Sequence, residues 1–459
     1  MHPKIVRTLI YPLHERLLNR PTLRFLGEIE RSQWASREQI ESLQLQKLKR
    51  LLTVALDHCP WHAAHIRDAG LDPWGDQELT LADLRKLPLM DKADATGHRD
   101  RLVWKEVPGG IFQYNTGGSS GQPLIFYYGR QRQAADIASR IRARRWWDVD
   151  IGDREVLLWG APVELNKTDR IKTLRDRLFN QLLLNAFEMT AENMDRYLRA
   201  MERFNPRCIY GYASSLALLA AHAKSQRIFP HLDELQVVCT TGEPLYPSQR
   251  ELIREVFGAP VSNEYGCRDG GLIALESPDG QLLVNSESLL VEVLDNQGAP
   301  VNEGEIGEVV LTNLCSDAQP FIRYRTGDMV RMSGEACRNG RGLHVIEEVM
   351  GRRTDFIVRA DGAIMHALAV IYILRATPGI DQFKIVQHSV EQVEVLVQPN
   401  DAWTDSAKDR VIGGLKSRLG EGVNIDVSLK TSIPPEASGK FRYVVSHVPL
   451  PEKLDSLLL

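Results

Sequence analysis

The sequence predicts an α/β protein, with a large N-terminal domain built of α/β subdomains and a β-rich subdomain, followed by a small, mobile α+β C-terminal domain. Three observations predict it. Between residues 110 and 350, short apolar runs alternate with longer helical stretches, the mark of successive βα units. At Leu289–Leu294 and Ile306–Leu311 the period changes to strand alternation, with Gly298, Gly304 and Gly307 as turns. The last hundred residues mix short strands with one helix, as a separate small domain would. A chain of 459 residues has room for two or three domains of ~150 residues each.

Residues 1–105 are expected to form a helical region of the large domain. Ser36 with Gln39 makes a capping-box pattern, and Ile40, Leu43, Leu48, Leu51, Leu52 and Ala55 follow at helical spacing. The core, 106–353, opens on a hairpin around Asn115 to Pro123. Strands are expected at Glu155–Trp159, Arg207–Tyr210, Leu235–Cys239 and Ala259–Ser262, with helices such as Ser214–Lys224 and Ser248–Phe257 between them. The basic run Arg140 to Arg145, ahead of Trp146 and Trp147, reads as a solvated helix face with aromatic anchors in preference to a partner patch. The C-terminal domain, 354–459, is assigned strands at Phe356–Val358, Phe383–Val386, Gln392–Val397 and Val423–Leu429, and a helix opened by Ser406.

Composition narrows the function. Hydrophobic residues at 43% and charged residues at 25% are those of an ordinary globular chain, which excludes disorder and collagen-like structure. A net charge of −4 leaves no global field for nucleic acid or an anionic membrane. Six cysteines stand singly, as reduced thiols do in a cytosol. No apolar segment precedes Arg7, and the uncharged, largely apolar stretch Cys208–Ala223 falls short of the ~20 residues that span a bilayer. A soluble, cytoplasmic protein with no membrane span is expected.

Six segments carry chemistry. Asn115-Thr-Gly-Gly-Ser-Ser-Gly-Gln-Pro123 sets Thr116, Gly117, Gly118, Ser119, Ser120 and Gly121 between two strands. Glycines admit a close ligand and hydroxyls donate to it, so the loop reads as a phosphate cradle or as a plain hairpin turn. It has neither the Walker A ending nor the Rossmann glycine pattern. Thr240-Thr-Gly-Glu-Pro-Leu245 follows a strand and precedes a helix, where open α/β sheets place ligands. Asn263-Glu-Tyr-Gly-Cys-Arg-Asp269 offers an aromatic ring for stacking and a carboxylate for Mg²⁺, or a tight turn with a surface acid. Phe321-Ile-Arg-Tyr-Arg-Thr-Gly-Asp328 offers an acceptor for ribose hydroxyls and, in Arg323, a partner for a phosphate or an acid. Gly351-Arg-Arg-Thr-Asp355 and Ser438-Gly-Lys-Phe-Arg442 complete the set.

In this order and spacing, the six segments resemble the core motifs of the adenylate-forming superfamily of acyl-CoA synthetases, peptide-synthetase adenylation domains and luciferases. The Thr-Gly-Gly-Ser-Ser-Gly loop, Leu87-Pro-Leu-Met-Asp-Lys92 and Tyr210-Gly-Tyr-Ala-Ser214 look most like the phenylacetate-CoA ligase and capsule-biosynthesis branch. The resemblance implies ATP-dependent activation of a carboxylic acid to an acyl-adenylate, with pyrophosphate released, then transfer to a thiol such as CoA. An amine, hydroxyl or carrier-protein acceptor, or a non-catalytic nucleotide-binding member, is the alternative. It also implies that Thr116 to Gly121 hold the β and γ phosphates. Gly242, Glu243 and Pro244 would line the adenine, Tyr265 with Gly266 would stack on it, and Asp269 would meet Mg²⁺. Asp328 would hold the ribose with Arg352 beside it, and Lys440 would be the catalytic lysine beyond a hinge at Thr354 and Asp355. Trp159, Tyr210 and Tyr212 line an aryl-acid pocket or pack a core.

Three departures qualify the likeness. Asp269 stands where the superfamily usually has Glu, no lysine follows Pro123, and of a zinc site that many relatives carry only Cys337 survives, near Ser277 and Asn339. One thiol cannot make a four-ligand site, so no zinc is expected. The expected partners are the acid, CoA or a carrier protein, and a second copy in a homodimer, without nucleic acid.

Overall fold

Local signals set the first helices. Ser36 Oγ accepts the N–H of Gln39 at 3.3 Å, and Gln39 Oε1 accepts that of Ser36 at 2.9 Å, which opens the helix Arg37–His58. That helix buries Leu48, Leu51, Leu52 and Ala55 against Ile66, Leu84, Leu314 and Ile322. The computed structural model describes residues 1–115, 124–159, 175–186, 189–295, 297–352, 356–359, 364–366, 368–434 and 442–448. The chain divides into two units, one of residues 1–292, 310–326 and 333–347, the other of 293–309, 327–332 and 348–459.

In the first unit a hairpin of β1 (Phe112–Asn115) and β2 (Ile125–Tyr128) pairs Asn115 with Ile125. The main sheet uses β3 (Glu155–Trp159), β4 (Gln181–Asn185), β5 (Cys208–Tyr212), β6 (Val237–Thr241), β7 (Val261–Cys267), β8 (Gly271–Glu276) and β9 (Leu282–Val284), in the order β9-β8-β7-β6-β5-β3-β4. Strands β3 to β7 run parallel, and β8 and β9 continue antiparallel. Counted along the chain, the parallel strands lie in the order 2-1-3-4-5, a doubly wound arrangement. Every residue of β5 and β6 is buried, as strands covered on both faces require. Leu198 and Met201 of the helix Ala191–Phe204, with Leu216, Leu219, Ile253 and Val256 from the next two helices, pack on Val156, Leu158, Ile209 and Val238.

The basic run corrects the sequence expectation. Arg140, Arg142 and Arg144, on the helix Arg130–Arg145, turn inward to acids: Arg140 to Glu264, Arg142 to Glu287 at 2.5 Å with both side chains 1% exposed, and Arg144 to Glu155 at 2.5 Å. A charged helix face was readable in the sequence; the acids that answer it, on β7, on β3 and in the turn after β9, were not.

In the second unit, strands Ile380–Ser389 and Gln392–Pro399 form an antiparallel pair, flanked in parallel by Val444–Ser446 and Asn424–Leu429. The helix Asp405–Leu419 starts from Thr404, whose hydroxyl accepts the N–H of Ala407, two residues before the expected Ser406 cap. It buries Ala407, Val411, Leu415 and Leu419. No helix among the described residues is long and apolar enough to cross a membrane.

Candidate functional site

The chain leaves β3 toward β4 on one side, then enters β5 on the other and proceeds away from it. The crevice beyond the carboxyl ends of β3 and β5 is therefore the switch point at which such sheets take ligands. Trp159 ends β3 and Tyr212 ends β5, and their rings stack 4.3 Å apart at 20°. The Tyr210 ring lies 5.6 Å from Trp159 at 17°. Gly242, with φ 76°, follows β6, and Tyr265 and Gly266 close β7, so Gly242, Glu243, Pro244, Tyr265 and Gly266 share this edge with the aromatic trio. Gly266 is required there, because a Cβ would stand 2.7 Å from the carbonyl of Gly271.

Glu264, a buried acid on β7, is the residue that the motifs hid. Its carboxylate accepts Arg140 Nε at 2.9 Å and Nη2 at 3.1 Å, Tyr210 Oη at 2.7 Å and Thr241 Oγ1 at 2.9 Å. Burial works against the charge, but Arg140 and the hydroxyl of Tyr210 outweigh it and hold the carboxyl below its usual range. Burial pushes the Tyr210 phenol well up, so it remains a donor. Tyr212 is pushed up to about 12 by burial and by Glu243, against Arg268. Glu243 accepts the backbone N–H of Ser214 at 2.9 Å, at the N-terminus of the helix Ala213–Gln226, where a carboxylate meets the positive end of the helix dipole. An acid inside an otherwise buried strand was the only sequence signal for Glu264.

Asp269 sits in the turn after β7. Tyr324 Oη donates to its Oδ2 at 2.6 Å and the N–H of Gly270 to its Oδ1 at 3.2 Å. Burial, then the charge and hydrogen bond of Asp269, push the Tyr324 phenol well up. Neighbouring Arg268 donates to the carbonyl of Asn115 at 2.9 Å, and its own carbonyl accepts the Tyr128 hydroxyl; these contacts tie both strands of the hairpin to this turn. Among the described residues no three His, Cys, Asp or Glu side chains gather as a metal cage. A single oriented carboxylate does fit Mg²⁺, which takes one or two carboxylates and completes its shell with phosphate and water.

Asp328 is buried on the strand Tyr324–Ser333, in the second unit. Arg352 ends the strand Val345–Arg352, and only its backbone is described. Thr116, Gly117, Gly118, Ser119, Ser120, Gly121, Lys440, Thr354 and Asp355 lie outside the described residues. Arg323 is committed to Glu292, at 3.0 and 3.1 Å, and to the carbonyl of Leu87, at 2.6 Å. Where relatives are expected to bind zinc, hydrogen bonds join the two turns: Ser277 Oγ donates to Asp279 Oδ1 at 2.5 Å, Asn339 Nδ2 to the same oxygen at 3.3 Å, and Cys337 Sγ to Asn339 Oδ1 at 2.8 Å.

Residues 357–447 match the family model described as the CapK C-terminal domain. The chain is 23% identical to Protein CapK of Staphylococcus aureus over 81% of its own length and 82% of the relative's. It is 23% identical to the phenylacetate-coenzyme A ligase of Thermus thermophilus over 89% and 97%. Among solved structures, a 2-hydroxyisobutyryl-CoA ligase in the postadenylation state with 2-HIB-AMP superposes with a TM-score of 0.70, at 20% identity and 91% coverage of both chains.

Proposed function

On the premise that this chain is a homologue of phenylacetate-CoA ligases and CapK with the fold of the adenylate-forming CoA ligases, we propose that it activates a carboxylic acid with ATP and passes the acyl group to CoA. The observation that carries this reading is the crevice at the β3/β5 switch point, where Trp159, Tyr212, Gly242 and Tyr265 reach one edge of the sheet. The acid would lie against Trp159, Tyr210 and Tyr212. The adenosine would lie along Gly242 to Pro244 and Tyr265, its ribose would meet Asp328 beside Arg352, and the triphosphate would meet the Thr116 to Gly121 loop.

In the first step a carboxylate oxygen attacks the α-phosphorus, the bond to the bridging oxygen breaks, and pyrophosphate leaves. In the second the CoA sulfur attacks the acyl carbon, and AMP leaves. Asp269, with the phosphates, would hold Mg²⁺, which would supply charge neutralisation on the triphosphate. Tyr324 holds the Asp269 carboxylate in place by donating to its Oδ2. Lys440 brings a cation between two approaching anions, the carboxylate and the α-phosphate, and so lowers the barrier of the first step.

A panel of carboxylic acids, read by pyrophosphate release with and without CoA, tests both halves. Lys440→Ala should slow adenylate formation by about 10²- to 10³-fold while converting a supplied acyl-adenylate to thioester at a near-normal rate. Unchanged pyrophosphate release in the variant, or equal loss in both steps, would remove Lys440 from its role. Adenylation with no response to CoA would move the acceptor to an amine, a hydroxyl or a carrier protein. Absence of release with every acid would favour a nucleotide-binding, non-catalytic protein.

A further inference from the structure

The first helical run of the chain joins Pro3–Ile5, a wide turn at Val6–Ile10 and Tyr11–Leu17. One face is fastened to the first unit. Val6 is fully buried against Gly152, whose Cβ would stand 2.7 Å from Val6 Cβ, and Asn180 Nδ2 donates to the carbonyls of Met1 and Gly152 at 2.9 and 2.7 Å. Arg7 reaches Asp150 at 3.1 Å, the His14 ring meets Phe179 edge-on at 4.9 Å, and Glu15 is buried under Arg20 and Thr22.

The opposite face carries Met1, Ile5, Leu9, Leu13 and Leu17, all between 46% and 77% exposed. Single exposed aliphatics are ordinary, whereas five in series at a spacing of four are not. On a regular α-helix each such step overshoots a turn by ~40°, so the series would wind through ~120° between Ile5 and Leu17. The wide turn alters that. Tyr11 N–H donates to the carbonyl of Val6, five residues back, and this extra residue takes up ~100°. Ile5, Leu9, Leu13 and Leu17 are left within ~40° of one line, a stripe ~18 Å long, with Met1 just before the helix start.

Lys4 and Arg16 are exposed on the same segment, and Glu15, the only acid among residues 1–27, points inward. A second copy packed here about a two-fold axis would set these cations against their own images with no acid to answer them. We propose instead that this face seats the protein on an anionic lipid bilayer. The run lies in the interfacial plane, the five aliphatic side chains enter the acyl boundary, and Lys4 and Arg16 meet the headgroups. With the whole chain at a net charge of −4, which averages to repulsion, the local basic edge also selects which side of the molecule approaches the surface.

The test is cosedimentation of the full chain with vesicles of phosphatidylcholine alone or with added phosphatidylglycerol. Binding is expected with phosphatidylglycerol and should fall in high salt. Leu9→Glu with Leu13→Glu should cut the bound fraction at least ~10-fold at an unchanged melting temperature, because neither side chain is buried in the fold. Lys4→Glu with Arg16→Glu should weaken binding only to the anionic vesicles. Equal binding to both vesicle types, binding that survives Leu9→Glu with Leu13→Glu, or absence of binding would overturn the proposal. So would a lipid-free dimer in sedimentation velocity that the Leu9→Glu, Leu13→Glu protein fails to form, since the occupant would then be a second copy.

Discussion

Separating Arg140 from Glu264 tests whether charge holds Tyr210 in place at the crevice. Glu264→Leu removes a carboxylate that accepts two hydrogen bonds from Arg140, one from Tyr210 and one from Thr241. Stranding one member of a fully buried ion pair costs ~3–5 kcal/mol. Arg140 keeps about a third of its side chain exposed, so water reaches it and about 3 kcal/mol remains. Arg140→Met should cost about as much, because Glu264 is 7% exposed and would keep only hydroxyl donors and the more distant Arg144. The double variant Arg140→Met, Glu264→Leu strands no charge and should lose about 4 kcal/mol where simple addition gives ~6, a coupling of about 2 kcal/mol. Urea denaturation of the four proteins yields the cycle, and each single variant should melt ~6 °C lower at ~2 °C per kcal/mol. Losses that add to within ~0.5 kcal/mol would refute the pairing as an energetic unit.

Two further outcomes are expected. His62 is buried with its Nε2–H donating to the carbonyl of Pro320 at 2.9 Å, and burial lowers it to about 4. The unfolded chain therefore takes up a proton below pH 6.5 that the folded chain refuses. Stability is full above that value and falls by about 3 kcal/mol as pH drops toward 4. His62→Gln should flatten this slope in denaturation series; an unaltered slope would refute the assignment. Elemental analysis should find no stoichiometric zinc, since Cys337 is the only thiol among the residues that would form the site, and about one zinc per chain would overturn that.

What could be read from the sequence was local or periodic. The Ser36–Gln39 box, the strand Glu155–Trp159 and the strand Leu289–Leu294 occur where expected, because a cap or an apolar run needs only its neighbours. Strand β4 was passed over: Gln181-Leu-Leu-Leu-Asn185 is an apolar run too short to tell from a helix turn. The crevice itself emerged from order, since Trp159 and Tyr212 meet only when β5 is laid beside β3. Glu264, Arg140 and Arg142 were hidden because their partners lie more than a hundred residues away, at a range where propensity carries no information. The run Arg140 to Arg145 looked solvated for the same reason: charge is visible in a sequence, and its neutralisation is not.

The second unit is threaded through the chain in three pieces, 293–309, 327–332 and 348–459. No single cut in the gene can part the units cleanly. A truncation after residue 347 would leave behind two strips that have lost the rest of their unit, and an expressed fragment of 348–459 would begin without them. Exchanging C-terminal portions between relatives meets the same obstacle, because the recognisable C-terminal module starts at 357, after both strips have already been laid down. A recombined chain would succeed only if those strips travelled with the module, so the two units are bound to be inherited, and to diverge, as one piece.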